Sequence, residues 1–91
     1  MKPAELQDVA EVCHMLADPT RVTMVAILAR GPKPVMALCD TLKRPPPIVS
    51  HHLALLRMSG LVSQERKGKQ RFYSLNRGNL DSARAFLAKL K

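Results

Sequence analysis

The sequence predicts a mainly α domain with a small β-hairpin, in the order α-α-α-α-β-β-α, and three observations carry that prediction. First, 46% of its 91 residues are hydrophobic, with one Tyr, two Phe and no Trp, so its core is built of Leu, Val, Ile, Ala and Met, a composition that favours helices. Second, apolar residues recur at i, i+3 and i+4 over most of the chain but change to a period of two between residues 61 and 75. Third, Pro and Gly fall where such helices start and stop. A single domain spans residues 1–91, with no repeat or low-complexity tract. A chain this short buries only about 60–65% of its unfolded surface, which makes oligomerisation an advantage.

The first helix is expected from Glu5 to Ala17, where Leu6, Val9, Ala10, Cys13, Leu16 and Ala17 repeat on one face. It ends at A-D-P-T-R. Asp18 is a natural N-cap and Pro19 a natural first residue of a second helix running through Arg30 to the stop at Gly31-Pro32. Val22, Met24, Val25, Ile27 and Leu28 make that helix apolar on most sides, which places it at the centre of the core. A short third helix, Val35 to Leu42, gathers Val35, Leu38, Cys39 and Leu42 on one face. Pro45, Pro46 and Pro47 follow. Proline is tolerated in the first turn of a helix and disruptive inside one, so the fourth helix begins near Pro46 or Pro47 and runs to Ser59, with Gly60 as its left-handed stop. L-V-S-Q-E-R and Q-R-F-Y-S-L read as strands around K-G-K. Asn79 is placed to cap a last helix striped with Leu80, Ala83, Leu87 and Leu90.

Charge points to a partner. The chain carries 15 Lys and Arg against seven Asp and Glu, a formal charge of +8, and such an excess marks a polyanion-binding surface. Lys43, Arg44, Arg57, Arg66, Lys67, Lys69 and Arg71 stand against Glu65 alone between residues 43 and 71, while Glu5, Asp8 and Glu11 cluster at the other end. The longest apolar runs fall far short of the roughly 20 residues that span a bilayer, and the first residues lack the apolar core of a signal peptide, so a cytoplasmic protein with two reduced thiols is expected.

A third helix, a tight turn, a fourth helix and a hairpin form the winged helix-turn-helix arrangement, in which the second helix of the pair enters the DNA major groove. The fourth helix suits that role: Val49, His52, Leu53 and Leu56 point one way, and Pro47, Ser50, His51 and Ala54 the other. Ser50 and His51 can reach base edges, and the helix N-terminus, with its dipole and free N–H groups, is expected to favour a phosphate. Lys43, Arg44, Arg57, Arg66, Lys67, Lys69 and Arg71 are the expected phosphate contacts.

A-D-P-T-R, L-C-D-T-L, S-H-H-L-A-L-L-R-M-S-G-L-V and K-G-K-Q-R-F-Y-S-L stand in this order along nearly the whole chain. Together they resemble the ArsR/SmtB family of bacterial repressors. The resemblance implies a homodimer joined through the first and last helices, here through Leu6, Val9, Cys13, Leu80, Ala83, Leu87 and Leu90. It also implies an inverted-repeat operator that is released when an effector binds or a thiol is modified. Metal-sensing relatives carry a C-V-C-type motif where this chain has Pro34, Val35 and Met36, or an Asp-x-His pair on the last helix where it has Asn79 and Asp81 and no histidine beyond His52. Neither metal site is expected, and no cofactor.

Plainer readings stand beside these. His51 and His52 are adjacent in a helix, about 100° apart, and do not chelate like an i, i+4 pair. His51 falls on the reading face, and His52 is expected to be packed and hydrogen-bonded at a helix interface. Cys13 and Cys39 are first of all small buried hydrophobes, with a thiol switch as the rival. The five Met fill gaps in an aromatic-poor core. No nucleophile with its base, phosphate-binding Gly loop or carboxylate pair suggests an enzyme. The expected function is a sequence-specific repressor with residues 46–59 in the major groove and a basic wing, 62–75, on flanking DNA. The alternative is a winged-helix protein-interaction module that no longer reads DNA, motivated by the proline run.

Overall fold

The computed structural model describes residues 2–90. In chain order these form α1 (Pro3–Met15), α2 (Pro19–Leu28), β1 (Lys33–Pro34), α3 (Val35–Leu42), α4 (Pro46–Met58), β2 (Val62–Lys67), β3 (Gln70–Leu75) and α5 (Arg77–Lys89). The order of helices matches the periodicity, with ends shifted by up to three residues. The first two helices stop earlier than expected, at Met15 and Leu28, and Leu16 and Ala29 close them with backbone bonds to Val12 and Val25 at 3.0 and 2.9 Å.

Side chains from most elements meet in one core. Met24 of α2, Leu38 of α3, Val49, Leu53 and Leu56 of α4, and Leu61 are its largest fully buried residues. Its centre therefore lies at α4 rather than α2. Val22, expected in the core, is 46% exposed, while Met24 and Leu28 of the same helix are buried. α1 packs against α5, and Val9, Val12, Met15 and Ala83 from these two helices join the common core.

The expected hairpin is part of a three-stranded sheet of order β1-β3-β2. The added strand is only Lys33 and Pro34, paired antiparallel with Tyr73 and Phe72. It is too short to show a period, and its proline is tolerated because β1 lies at the edge, where one side of the backbone needs no ladder bond. Leu61 anchors the sheet to α4: its N–H donates to the Leu56 carbonyl at 2.9 Å and its carbonyl accepts from the Asn76 N–H at 2.8 Å.

Two cap assignments change. Asp18 stands at the N-cap of α2 in an extended conformation, but its side chain makes no capping bond, and Oδ2 is buried without a hydrogen-bond partner. α5 starts at Arg77, so Asn76 occupies the N-cap position and Asn79 sits inside the helix, its Nδ2 beside Gly60. Instead, the start of α5 is held by Arg77, whose Nη2 donates to the Ala29 carbonyl at 2.9 Å.

Leu53 is the test of this centre. Truncation by Leu53→Ala removes a fully buried side chain and is expected to cost about 2–5 kcal/mol of unfolding free energy. Val22→Ala, at an exposed site, is expected to change it by less than about 0.5 kcal/mol. Urea unfolding of both variants measures the difference.

Candidate nucleic-acid interface

α4 divides its faces as its sequence does. Val49, Leu53 and Leu56 are buried, while Pro47, Ser50, His51 and Ala54 are all exposed. His52 lies between the two faces, half-buried, with Nδ1 3.4 Å from Nη1 of Arg21. The guanidinium can only donate, so Nδ1 is the acceptor of that contact. Arg21 also donates through Nε to the Met15 carbonyl at 2.7 Å, so one side chain ties the end of α1 to α2 and α4. The rings of His51 and His52 are 5.6 Å apart and tilted by 60°, and the two residues face different surroundings.

The turns at each end of α4 have different chemistry. At its C-terminus Gly60, at φ +79°, lets the Leu61 N–H reach the Leu56 carbonyl and the Gly60 N–H reach the Arg57 carbonyl, the paired bonds of a Schellman closure. The turn before α4 makes a similar reversal with Lys43 at φ 54°, and the Arg44 N–H donates to the Cys39 carbonyl at 3.2 Å. A left-handed lysine costs energy that glycine would not, and Lys43 is exposed in the turn that leads into α4.

The first turn of α4 overturns one expectation. Pro45, Pro46 and Pro47 have no N–H, and the N–H groups of Ile48 and Val49 both donate to the Pro45 carbonyl, at 3.1 and 3.2 Å. No backbone donor remains there to hold a phosphate.

The cations lie elsewhere. In the wing, Lys67 pairs with Gln70 around the Gly68-Lys69 turn, and Arg66 pairs directly with Arg71. Like charges opposite one another destabilise a strand pair. Arg66 donates through Nε to the Gly68 carbonyl at 3.2 Å and Lys67 sits 5.8 Å from the Phe72 ring centre, so both are held near the turn. Arg71, Gln70 and Tyr73 share a cleft of about 320 Å³ with Ser50 of α4 and with Pro34 and Met36. Helix and wing thus line one concave surface. Lys43, Arg44 and Arg57 are exposed, and Arg44 lines a separate cleft with Pro19, Thr20 and Thr23 of α2.

Residues 18–64 match the family model for bacterial regulatory proteins of the arsR family. A helix-turn-helix transcriptional regulator of Methanocaldococcus jannaschii is 38% identical over 65 residues, 70% of this chain and 73% of that one. The chain belongs to the arsR family. The arsenical resistance operon repressor of Escherichia coli is 43% identical over 67 residues, 72% of this chain and 57% of its own length. The aligned region thus spans little more than half of that repressor. Among solved structures, the homodimeric winged helix-turn-helix DNA-binding domain of a possible ArsR-family regulator from Mycobacterium bovis superposes with a TM-score of 0.76 at 30% identity, covering 93% of this chain and 77% of that one. The ArsR family comprises DNA-binding transcription regulators of winged-helix fold, not enzymes.

Within this ArsR frame the remaining site residues fall into place. Among the described residues, no three His, Cys, Asp or Glu side chains gather as a metal site, and no helix is long and apolar enough to cross a membrane. The cysteines differ from the expectation that both are buried: Cys39 is in the core, but Cys13 is exposed on α1. Of the stripe assigned to a dimer, Val9 and Ala83 are spent on the chain's own core and Leu80 is half-buried. Leu6, Cys13, Leu87 and Leu90 remain exposed, Leu87 at 58% and Leu90 at 60%.

Two outcomes test this geometry. Treatment of the folded protein with a maleimide, at dilutions where it is monomeric, is expected to add one adduct, at Cys13, with Cys39 reacting only in denaturant, as read by mass spectrometry. Lys43→Gly is expected to raise stability by up to about 1 kcal/mol by relieving the left-handed backbone, while weakening retention on duplex DNA by removing one exposed cation from the turn before α4.

Proposed function

We propose that this chain is a sequence-specific repressor that binds as a homodimer to an inverted-repeat operator, with residues 46–59 in the major groove and the wing, 62–75, on flanking DNA. The observation that carries this reading is the Arg66–Arg71 cross-strand pair beside the exposed face of α4. Like charges on directly opposed residues lower the stability of the free wing, and a phosphate backbone lying against the wing removes that cost. Affinity comes from Lys43, Arg44, Arg57, Arg66, Lys67, Lys69 and Arg71, and selectivity from the face of Pro47, Ser50, His51 and Ala54.

Leu6, Cys13, Leu87 and Leu90 offer the apolar surface through which two copies join, supported by the homodimeric Mycobacterium bovis relative. Two-fold symmetry then sets half-sites about one helical turn, roughly 34–36 Å, apart. Release from the operator follows modification of a thiol or binding of an effector in the cytoplasm, and Cys13 is the thiol that a single chain leaves exposed, on the surface where two copies join.

Replacement of Arg66, Lys67, Lys69 and Arg71 by Gln is expected to abolish retention on random duplex DNA near physiological salt. The slope of log affinity against log salt should flatten by about 0.9 for each phosphate that the variant no longer neutralises. The variant should remain folded, because the replaced side chains are exposed. Wild-type protein that is not retained even at low salt would instead mark a protein-interaction module.

A further inference from the structure

The exposed face of α4 has few groups able to hydrogen-bond a base. On a helical projection Pro47, Ser50, His51, Ala54 and Met58 lie opposite the buried ridge, with Ile48 at the margin. Met58 is 84% exposed and Ile48 38%, yet only Ser50 and His51 in this group are polar. The backbone supplies nothing more, since the first turn has three prolines and both of its next N–H groups are taken by the Pro45 carbonyl. The face is nevertheless flanked by cations, Arg57 on the same helix and Arg71 across the cleft. An apolar stripe between cations suits a surface that is itself apolar between phosphates.

In the major groove that apolar feature is the C5-methyl group of thymine, which side chains recognise by contact rather than by hydrogen bonding. We infer that α4 selects its operator largely through thymine methyl groups, with Pro47 and Ile48 as the specificity-determining residues and Ala54 as the next contact along the helix. Ser50 and His51 add the polar contacts. Proline has no rotamer freedom to lose on contact, so a rigid first turn favours this mode of reading. The inference rests on α4 being the reading helix.

The test uses duplexes enriched by the full chain from a random library and resynthesised with deoxyuridine in place of thymine in the half-sites, which removes only the methyl groups. Affinity is expected to fall about fourfold for each methyl buried, with retention on random duplex at low salt unchanged. In Ile48→Ala, which keeps the backbone bond to Pro45, and in Pro47→Ala, the uracil penalty should shrink, whereas in Ser50→Ala it should persist. Enriched duplexes that bind equally with thymine or uracil overturn the inference and leave the repressor reading intact; a stripe that seats an apolar protein partner gives this result. Failure to enrich any duplex overturns it too, and if retention on random duplex is also absent, the repressor reading falls with it.

Discussion

The ridge of Val49, Leu53 and Leu56 is the constraint on which the rest of the structure depends. These side chains, at i, i+4 and i+7, are fully buried in the same core as Leu38 and Leu61, and burying each is worth about 1.5–3 kcal/mol. A rotation of α4 by one residue, about 100°, would bring polar groups such as His52 into that core. The helix therefore has one orientation, and Pro47, Ser50, His51 and Ala54 face outward as a consequence. The wing inherits the same precision through Leu61, whose side chain is in the core while its N–H and carbonyl bond to Leu56 and Asn76.

Charge and apolar surface are thereby assigned to different parts of the molecule. The cations sit in the turn before α4, at its far end and on the hairpin, while the outward face of the helix is nearly uncharged. In the free protein this separation is unfavourable: the chain carries +8 overall and sets Arg66 against Arg71. A left-handed lysine in the α3–α4 turn adds to that cost. Local choices that oppose folding, gathered on one side of a small domain, are the mark of a surface completed by a partner.

Much of this is legible in the sequence because helical periodicity reports burial directly. The division of α4 into Val49, Leu53 and Leu56 on one side and Ser50 and His51 on the other needs only the 3.6-residue repeat. The departures have local causes. β1 escapes a reading by pattern because two residues have no period and their pairing with Phe72 and Tyr73 lies some 40 residues away in sequence. Val22 and Cys13 look like core residues because an apolar side chain shows a preference for burial but not whether a neighbour exists to cover it. Asn79 looks like a cap because N-R-G-N offers two asparagines, and the choice of Asn76 depends on where β3 ends. The expected phosphate site at the start of α4 fails on backbone chemistry that is visible in the prolines but outweighed by the general rule for helix N-termini.

The surfaces left open by α1 and α5 follow from the size of the domain. The radius of gyration is 13.8 Å, above the roughly 12 Å of a compact domain of this length, so the chain does not fold back far enough to cover Leu6, Leu87 and Leu90. Val9 and Ala83 hold the two helices to the body, and their neighbours Leu6, Leu87 and Leu90 stay exposed. Cys13 lies on α1 at seven residues from Leu6, two turns along the same face. A modification there would act on the spacing between two protomers and not on the buried ridge that orients α4. In the proposed dimer, α4 would keep its shape while the pair lost its match to two half-sites, which would separate control of release from the stability of α4.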